Sequence, residues 1–409
     1  MRIFTPSVEV NVVLTGQLRR RMALQRTYLD WNATAPLSEA ARLAMLDALR
    51  LPGNASSVHA EGRAARSAVE KARRQVAALV GAEPAHVTFT SGATEAANHV
   101  LTPDYRMGRS PVAISHFYVS AIEHPAIREG GRFGTDQVTE IPVTPAGIVD
   151  LDALERLLAG HDQVSGLPMV AVMLVNNETG IVQPVAEAAS LAHKYRGLMV
   201  VDAVQAAGRI ALDINALDAD FLIVSSHKIG GPKGVGALIS RGEVLMPKPL
   251  IRGGGQEKGH RSGTENFHAI IGFGAAAQAM SEDLAPRNGR IESLRDRLEL
   301  AMRTTTPDVV IYGEGGPRVA NTSFFTLPGL KAETGQIAFD LEGVSLSAGS
   351  ACSSGKVGQS HVLTAMGHDA DVGGLRISLG PETTEADVEK AIAAFEKIAR
   401  RRRAPEQAA

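Results

Sequence analysis

The sequence predicts an α/β protein: a mostly parallel central sheet covered by helices, followed by a smaller α+β domain. Two observations carry this. Short apolar runs at 169–175, 198–201 and 221–224 alternate with helix-like segments such as 185–195, the rhythm of strands buried on both faces and linked by crossover helices. From about Asp283 that rhythm changes to a charged helix at 290–303, strand-like runs at 309–312 and 321–326, and a last helix at 385–400.

Earlier segments fit the same plan. Residues 38–50 read as a helix, and 51–57, with Pro52, Gly53 and Asn54, read as a turn. A second helix at 64–80 closes at Gly81 and leads into a strand at 86–90. The expected division is an N-terminal arm at 1–26, whose first 21 residues read either as a flexible arm or as an upstream start-codon choice, a large domain at 37–282, and a small domain made of 27–36 and 283–409.

Composition narrows the function classes. With 409 residues and 44% hydrophobic content, the chain can bury one large or two moderate cores. Its 42 Lys plus Arg against 44 Asp plus Glu leave no global field for nucleic acid or anionic membrane, and small-molecule partners are expected. No run approaches the roughly 18 apolar residues of a membrane span. The first 26 residues lack the order of a secretory signal, and a single cysteine cannot form an intrachain disulfide, so a reducing cytoplasm is expected. The basic run 400–403 reads as a solvated helix end.

Several residues could do chemistry. Lys228 lies in a polar loop, 225–234, directly after an apolar strand, where sites of parallel sheets collect. Partial burial there lowers an amine's pKa and frees it as a nucleophile, although a surface lysine is the ordinary alternative. Asp202 ends the preceding strand, with Gln205 three residues on; a helix cap is the competing reading of Asp202. The run 90–98 joins a strand to a helix through small and hydroxyl residues, and its free N–H groups suit a phosphate, although a capping box uses the same letters. It is neither a P-loop nor a dinucleotide fingerprint.

His124 is restrained by Pro125 and can stack and exchange protons near neutrality, or be structural. His116 and His124 lack the acids or thiols of a metal site. Cys352 sits in a run, 346–356, too small and polar for a core, which makes reactivity the better explanation of the thiol. Arg376, alone in an apolar strand-like context, requires an anionic partner: a substrate carboxylate or a structural ion pair.

Taken in order, Tyr28-Leu29-Asp30, Ser91-Gly92-Ala93-Thr94-Glu95, Glu123-His124-Pro125, Val175-Asn176-Asn177-Glu178, Asp202 with Gln205, Ser225-Ser226-His227-Lys228, Arg261-Ser262-Gly263-Thr264 and Ala348 to Cys352 resemble the NifS/IscS-like cysteine desulfurase family of fold-type I pyridoxal-phosphate enzymes. The resemblance spans residues 28–400. It implies that Lys228 is the Schiff-base lysine, Asp202 the ring-nitrogen partner, Gln205 the ring-oxygen donor and His124 the stacking acid–base group. Ala93, Thr94, Ser225 and His227 would hold the phosphate, Thr264 would reach the phosphate of a neighbouring protomer in a homodimer, and Asn177 and Arg376 would bind the substrate.

Cys352 would take sulfur from L-cysteine as a persulfide, leaving alanine, and pass it to an acceptor or scaffold protein, such as one of iron–sulfur cluster assembly. No resident metal is implied, Cys352 being at most a transient ligand of an iron–sulfur cluster. Three other readings are a selenocysteine lyase, separable by comparing the two amino acids, an aminotransferase, which has no use for Cys352, and a non-catalytic scaffold, which would need neither Lys228 nor Cys352.

Overall fold

The computed structural model describes residues 26–349, 359–369 and 373–403. Its main feature is a nine-stranded sheet. Across it run Leu245–Pro247, Asp104–Met107, Ser110–Ser120, Leu167–Ala171, Leu198–Asp202, Phe221–Ser225, Gly236–Ser240 and Val87–Thr90, with Val138–Ile141 pairing beside Ser110–Ser120. The middle pairings are parallel and the outer ones antiparallel.

The strands 198–202 and 221–225 are buried at every position because each face has its own core. Met199, Val201, Leu222 and Val224 join one apolar cluster, whereas Leu198, Val200, Phe221 and Ile223 join another. A period-2 strand covered on both sides must be apolar throughout, which is why these runs stand out in the sequence.

On one face the helix Phe267–Ser281 packs against Glu39–Ala48 and Ala60–Leu79. Gly274 makes the approach possible, since a Cβ there would lie 2.6 Å from the Ala72 Cα. The helix 60–79 begins four residues before the expected start. Its cap is His59, whose Nδ1 accepts from the Gly62 N–H. The run 169–175 is strand only to Ala171; beyond it the chain stays buried and enters a turn at 176–180.

A second sheet of four strands, Val310–Ile311, Thr322–Thr326, Leu375–Ser378 and Ser347–Ala348, packs with Leu284–Thr305 and Glu385–Arg403. The chain's start belongs to this layer: Thr27–Tyr28 pairs with Val344–Ser345, and Leu29 is buried in the same cluster. Residues 30–36 then cross to the large sheet, where Ala35 N–H donates to the His227 carbonyl and Ser38 N–H to that of Gly230. No helix among the described residues is long and apolar enough to cross a membrane.

Candidate active site

A cavity of about 480 Å³ opens at the carboxyl ends of the central strands. Lys228, Asp202, Gln205, His124, Ala93, Thr94, Ser225, His227 and Asn177 all line it. Segments scattered over 136 positions of sequence thus converge because neighbouring parallel strands end on one edge.

Lys228 closes a single 3₁₀ turn after strand 221–225. Its Nζ donates to the carbonyls of Asn32 at 2.6 Å and Ala33 at 2.9 Å. Asp202, at the end of the adjoining strand, accepts the Val204 N–H at 2.8 Å. Burial raises its pKa to about 6, opposed by that N–H and by the charge of Lys228. At neutral pH Asp202 is therefore largely a carboxylate, an amine and a carboxylate standing over one cavity.

Gln205 is held at both ends, its Nε2 donating to the Asn32 carbonyl at 3.0 Å and its Oε1 accepting from Arg209. His124 caps the short helix Pro125–Arg128, its Nδ1 accepting from the Ala126 N–H at 3.1 Å. Burial, then the charges of Lys228 and His361, lower its pKa to about 4. The ring is thus neutral, and acceptance at Nδ1 places its proton on Nε2.

The helix Ala93–Val100 starts from Gly92 with no side-chain cap. Thr90 Oγ1 instead donates to the Gly92 carbonyl, and Glu95 takes the Ser91 N–H and pairs with Arg261. Ala93 and Thr94, in the first turn, line the cavity, and among the described residues no side chain caps this helix, an arrangement that suits an anion. Ser225 flanks them at its strand end, and His227 shares a hydrogen bond with Thr34 Oγ1 at 3.1 Å. Burial, then Lys228 and Lys233, lower the His227 pKa to about 4.

Of the other expected residues, two are described and do not line this cavity. Thr264 is exposed before the helix 267–281 and does not line the cavity. Arg376 is fully buried on the second sheet, its guanidinium donating to Asp30 at 2.9 Å and to the Asn177 carbonyl at 2.7 Å, with Nε unpartnered among the described residues. The ion pair that the sequence left open is therefore formed, with Asp30. Cys352 lies outside the described residues.

The resemblance between this chain and known proteins covers nearly all of it. The aminotransferase class-V family profile matches residues 27–391. An IscS-like cysteine desulfurase from Mycobacterium tuberculosis is 39% identical over 386 residues, covering 92% of this chain and 97% of that protein. The chain belongs to the cysteine desulfurase family. A cysteine desulfurase from Gluconacetobacter diazotrophicus is 38% identical, over 90% of this chain and 92% of its own. A solved NifS-like protein from Rickettsia africae superposes with a TM-score of 0.81 at 34% identity, covering 91% of this chain and 99% of that one. The fold-type I architecture expected from the sequence is the fold that this family shares.

Some features escaped sequence reasoning. The Asn32 and Ala33 carbonyls that hold Lys228 have no letter of their own, and Asp30 was quoted only as part of a motif. Glu123 is buried beside the site, with Oε1 accepting the Met173 N–H at 2.5 Å and Oε2 unpartnered among the described residues. Burial, reinforced by the charge of Asp202 and opposed by the Met173 N–H, raises its pKa well above the ordinary value. Its position before His124 was the available signal.

Proposed function

We propose that this family member removes sulfur from L-cysteine with pyridoxal phosphate, releasing L-alanine and leaving a persulfide on Cys352. The observation that carries the reading is the cavity's donor set: an amine and a carboxylate at adjacent strand ends, facing an uncapped helix N-terminus. These groups fit the cofactor. Ala93, Thr94, Ser225 and His227 would take its phosphate, Asp202 its ring nitrogen, and Lys228 its aldehyde. Asp202 is largely ionised at neutral pH, as a partner of a protonated ring nitrogen must be. Gln205 would reach the ring oxygen by releasing Asn32.

When bound, pyridoxal phosphate supplies an electron sink that makes the substrate's α-proton acidic. Lys228 Nζ, aimed by two carbonyls, is the base that takes this proton. His124, neutral with its proton on Nε2, is the exchangeable proton donor on the cavity wall. Asn177, whose Oδ1 has no partner among the described residues, orients the substrate, and Arg376 takes its carboxylate by exchanging Asp30 for it. The Cys352 thiolate attacks the substrate sulfur. A sulfur–sulfur bond forms, the carbon–sulfur bond breaks with its electron pair remaining on the β-carbon, that carbon takes a proton, and the α-proton held by Lys228 returns to the α-carbon to complete alanine.

Thr264, exposed and outside its own cavity, is read as reaching the site of a second copy in a homodimer. The single thiol and the bacterial relatives support a cytoplasmic setting, with the persulfide passed to an acceptor protein, iron–sulfur assembly being one such route. The direct test is to supply the cofactor-loaded protein with L-cysteine and reductant but no keto acid. One alanine per sulfide is expected. Alanine that forms only when a keto acid is added would make the chain an aminotransferase instead.

A further inference from the structure

Asn177 and Glu178 share one tightly specified turn. Asn176 Oδ1 accepts the N–H groups of Glu178 at 3.0 Å and Thr179 at 2.9 Å, while its Nδ2 donates to the Ile122 carbonyl at 3.1 Å. Gly180 closes the turn at φ 74°, where a Cβ would lie 2.8 Å from that of Thr322. Asn177 lines the cavity. Glu178 instead reaches the chain on either side of Cys352.

There its Oε2 accepts the Ser360 hydroxyl at 2.5 Å. Ser360 Oγ in turn accepts the Leu363 N–H at 3.1 Å and caps the helix His361–Ala365. Gly349 rests against the same oxygen: a Cβ there would stand 2.9 Å from Glu178 Oε2 and 2.9 Å from the Phe324 ring. Gly349 N–H is tied to the Gly374 carbonyl at 2.7 Å, next to the strand of Arg376. Burying a carboxylate is costly, and burial raises the Glu178 pKa to about 7 against the opposing effects of Ser360 and Arg376. A turn already fixed by Asn176 needs no such group for its own shape.

We propose that Glu178 is a positioning residue for sulfur transfer. Its carboxylate fixes Gly349 and Ser360, which bracket Cys352 in the sequence, against the turn that presents Asn177 to the substrate. The thiol's reach to the substrate sulfur is set through this anchor. This rests on the reading of Cys352 as the sulfur acceptor, and it assigns Glu178 no contact with substrate or cofactor.

The test follows two steps separately in cofactor-loaded parent, Glu178→Gln, Glu178→Asp and Ser360→Ala. The first is the initial change in cofactor absorbance on mixing with L-cysteine. The second is persulfide formation on Cys352, read by alkylation and mass spectrometry. Glu178→Gln is expected to slow the second step about tenfold or more while the first stays within about twofold, since misplacing a reacting group costs rate without costing binding. Glu178→Asp should recover part of the loss, and Ser360→Ala should show a smaller loss in the same step.

Parental persulfide formation in Glu178→Gln overturns the proposal, as does an equal fall in both steps, which would make the residue merely structural. If Glu178→Gln does not fold, Ser360→Ala decides on the same criteria. A parent that forms no persulfide overturns the desulfurase reading itself, and this inference with it.

Discussion

The floor of the cavity and the wall of packed chain behind it, most of which does not line the cavity, are built in different ways. On the floor, Asp202, Ser225 and Lys228 sit at the ends of adjacent strands, 198–202 and 221–225, so the sheet's own geometry delivers them. The wall is assembled from distant parts. Asn32 and Ala33 reach Lys228 across 196 and 195 residues, and Asp30 reaches Arg376 across 346. On the proposed reading the floor carries the chemistry, whereas the wall exists only because residues 27–36 dock between the two sheets. Changes to the floor should therefore cost rate, and changes to the wall should cost stability first.

The largest effect belongs to the floor. Lys228→Ala is expected to lower alanine release by about a thousandfold or more, because the general base and the covalent anchor go together, while circular dichroism stays parental. Asp202→Asn should cost about a hundredfold in kcat, the scale of a lost electrostatic partner.

The same carboxylate sets a pH dependence. Burial raises its pKa to about 6, whereas the proposed role opposite the cofactor's ring nitrogen needs the anion. Protonation below pH 6 therefore competes with binding, and affinity should weaken about tenfold per unit from this group. Cofactor titrations from pH 5 to 8 should show a shallower slope in Asp202→Asn than in the parent, and equal slopes would assign the dependence elsewhere.

The wall is tested by Asp30→Asn, which strands the buried Arg376 guanidinium. The expected cost is about 2–4 kcal/mol, toward the lower end for a broken buried pair because Asp30 keeps some solvent contact. A urea midpoint that falls in Asp30→Asn and partly recovers in Asp30→Asn with Arg376→Met would confirm that the ion pair holds this wall. The smallest effect is expected at Gly380, where a Cβ would lie 2.0 Å from the Trp31 ring. Gly380→Ala should cost about 1–3 kcal/mol by overpacking. Because Trp31 is the sole tryptophan, its fluorescence reports directly on the docking of 27–36.

The same contrast explains what was legible in the sequence. The floor residues could be read because each follows a continuous apolar run, as Lys228 follows 221–224, or sits beside a restraining proline, as His124 does. Asp202 was ambiguous between helix cap and ring partner; its bond to the Val204 N–H is a local turn contact, and it also lines the cavity. Wall contacts were illegible for physical reasons. Backbone carbonyls have no sequence signature, and nothing local to Arg376 tells that its counter-ion is Asp30. The helix start at Ala60 was missed because an imidazole, not a hydroxyl or carboxylate, caps it, and the end of strand 167–171 was blurred by an apolar run that continues into a buried turn.

The most direct measurement gives cofactor-loaded protein L-cysteine and a reductant, and follows alanine and sulfide in the parent and in Cys352→Ser. Both products should form in the parent and vanish in the variant while its cofactor absorbance is retained. Sulfide release by Cys352→Ser at the parental rate would contradict the account, because sulfur would then leave the substrate without the thiol.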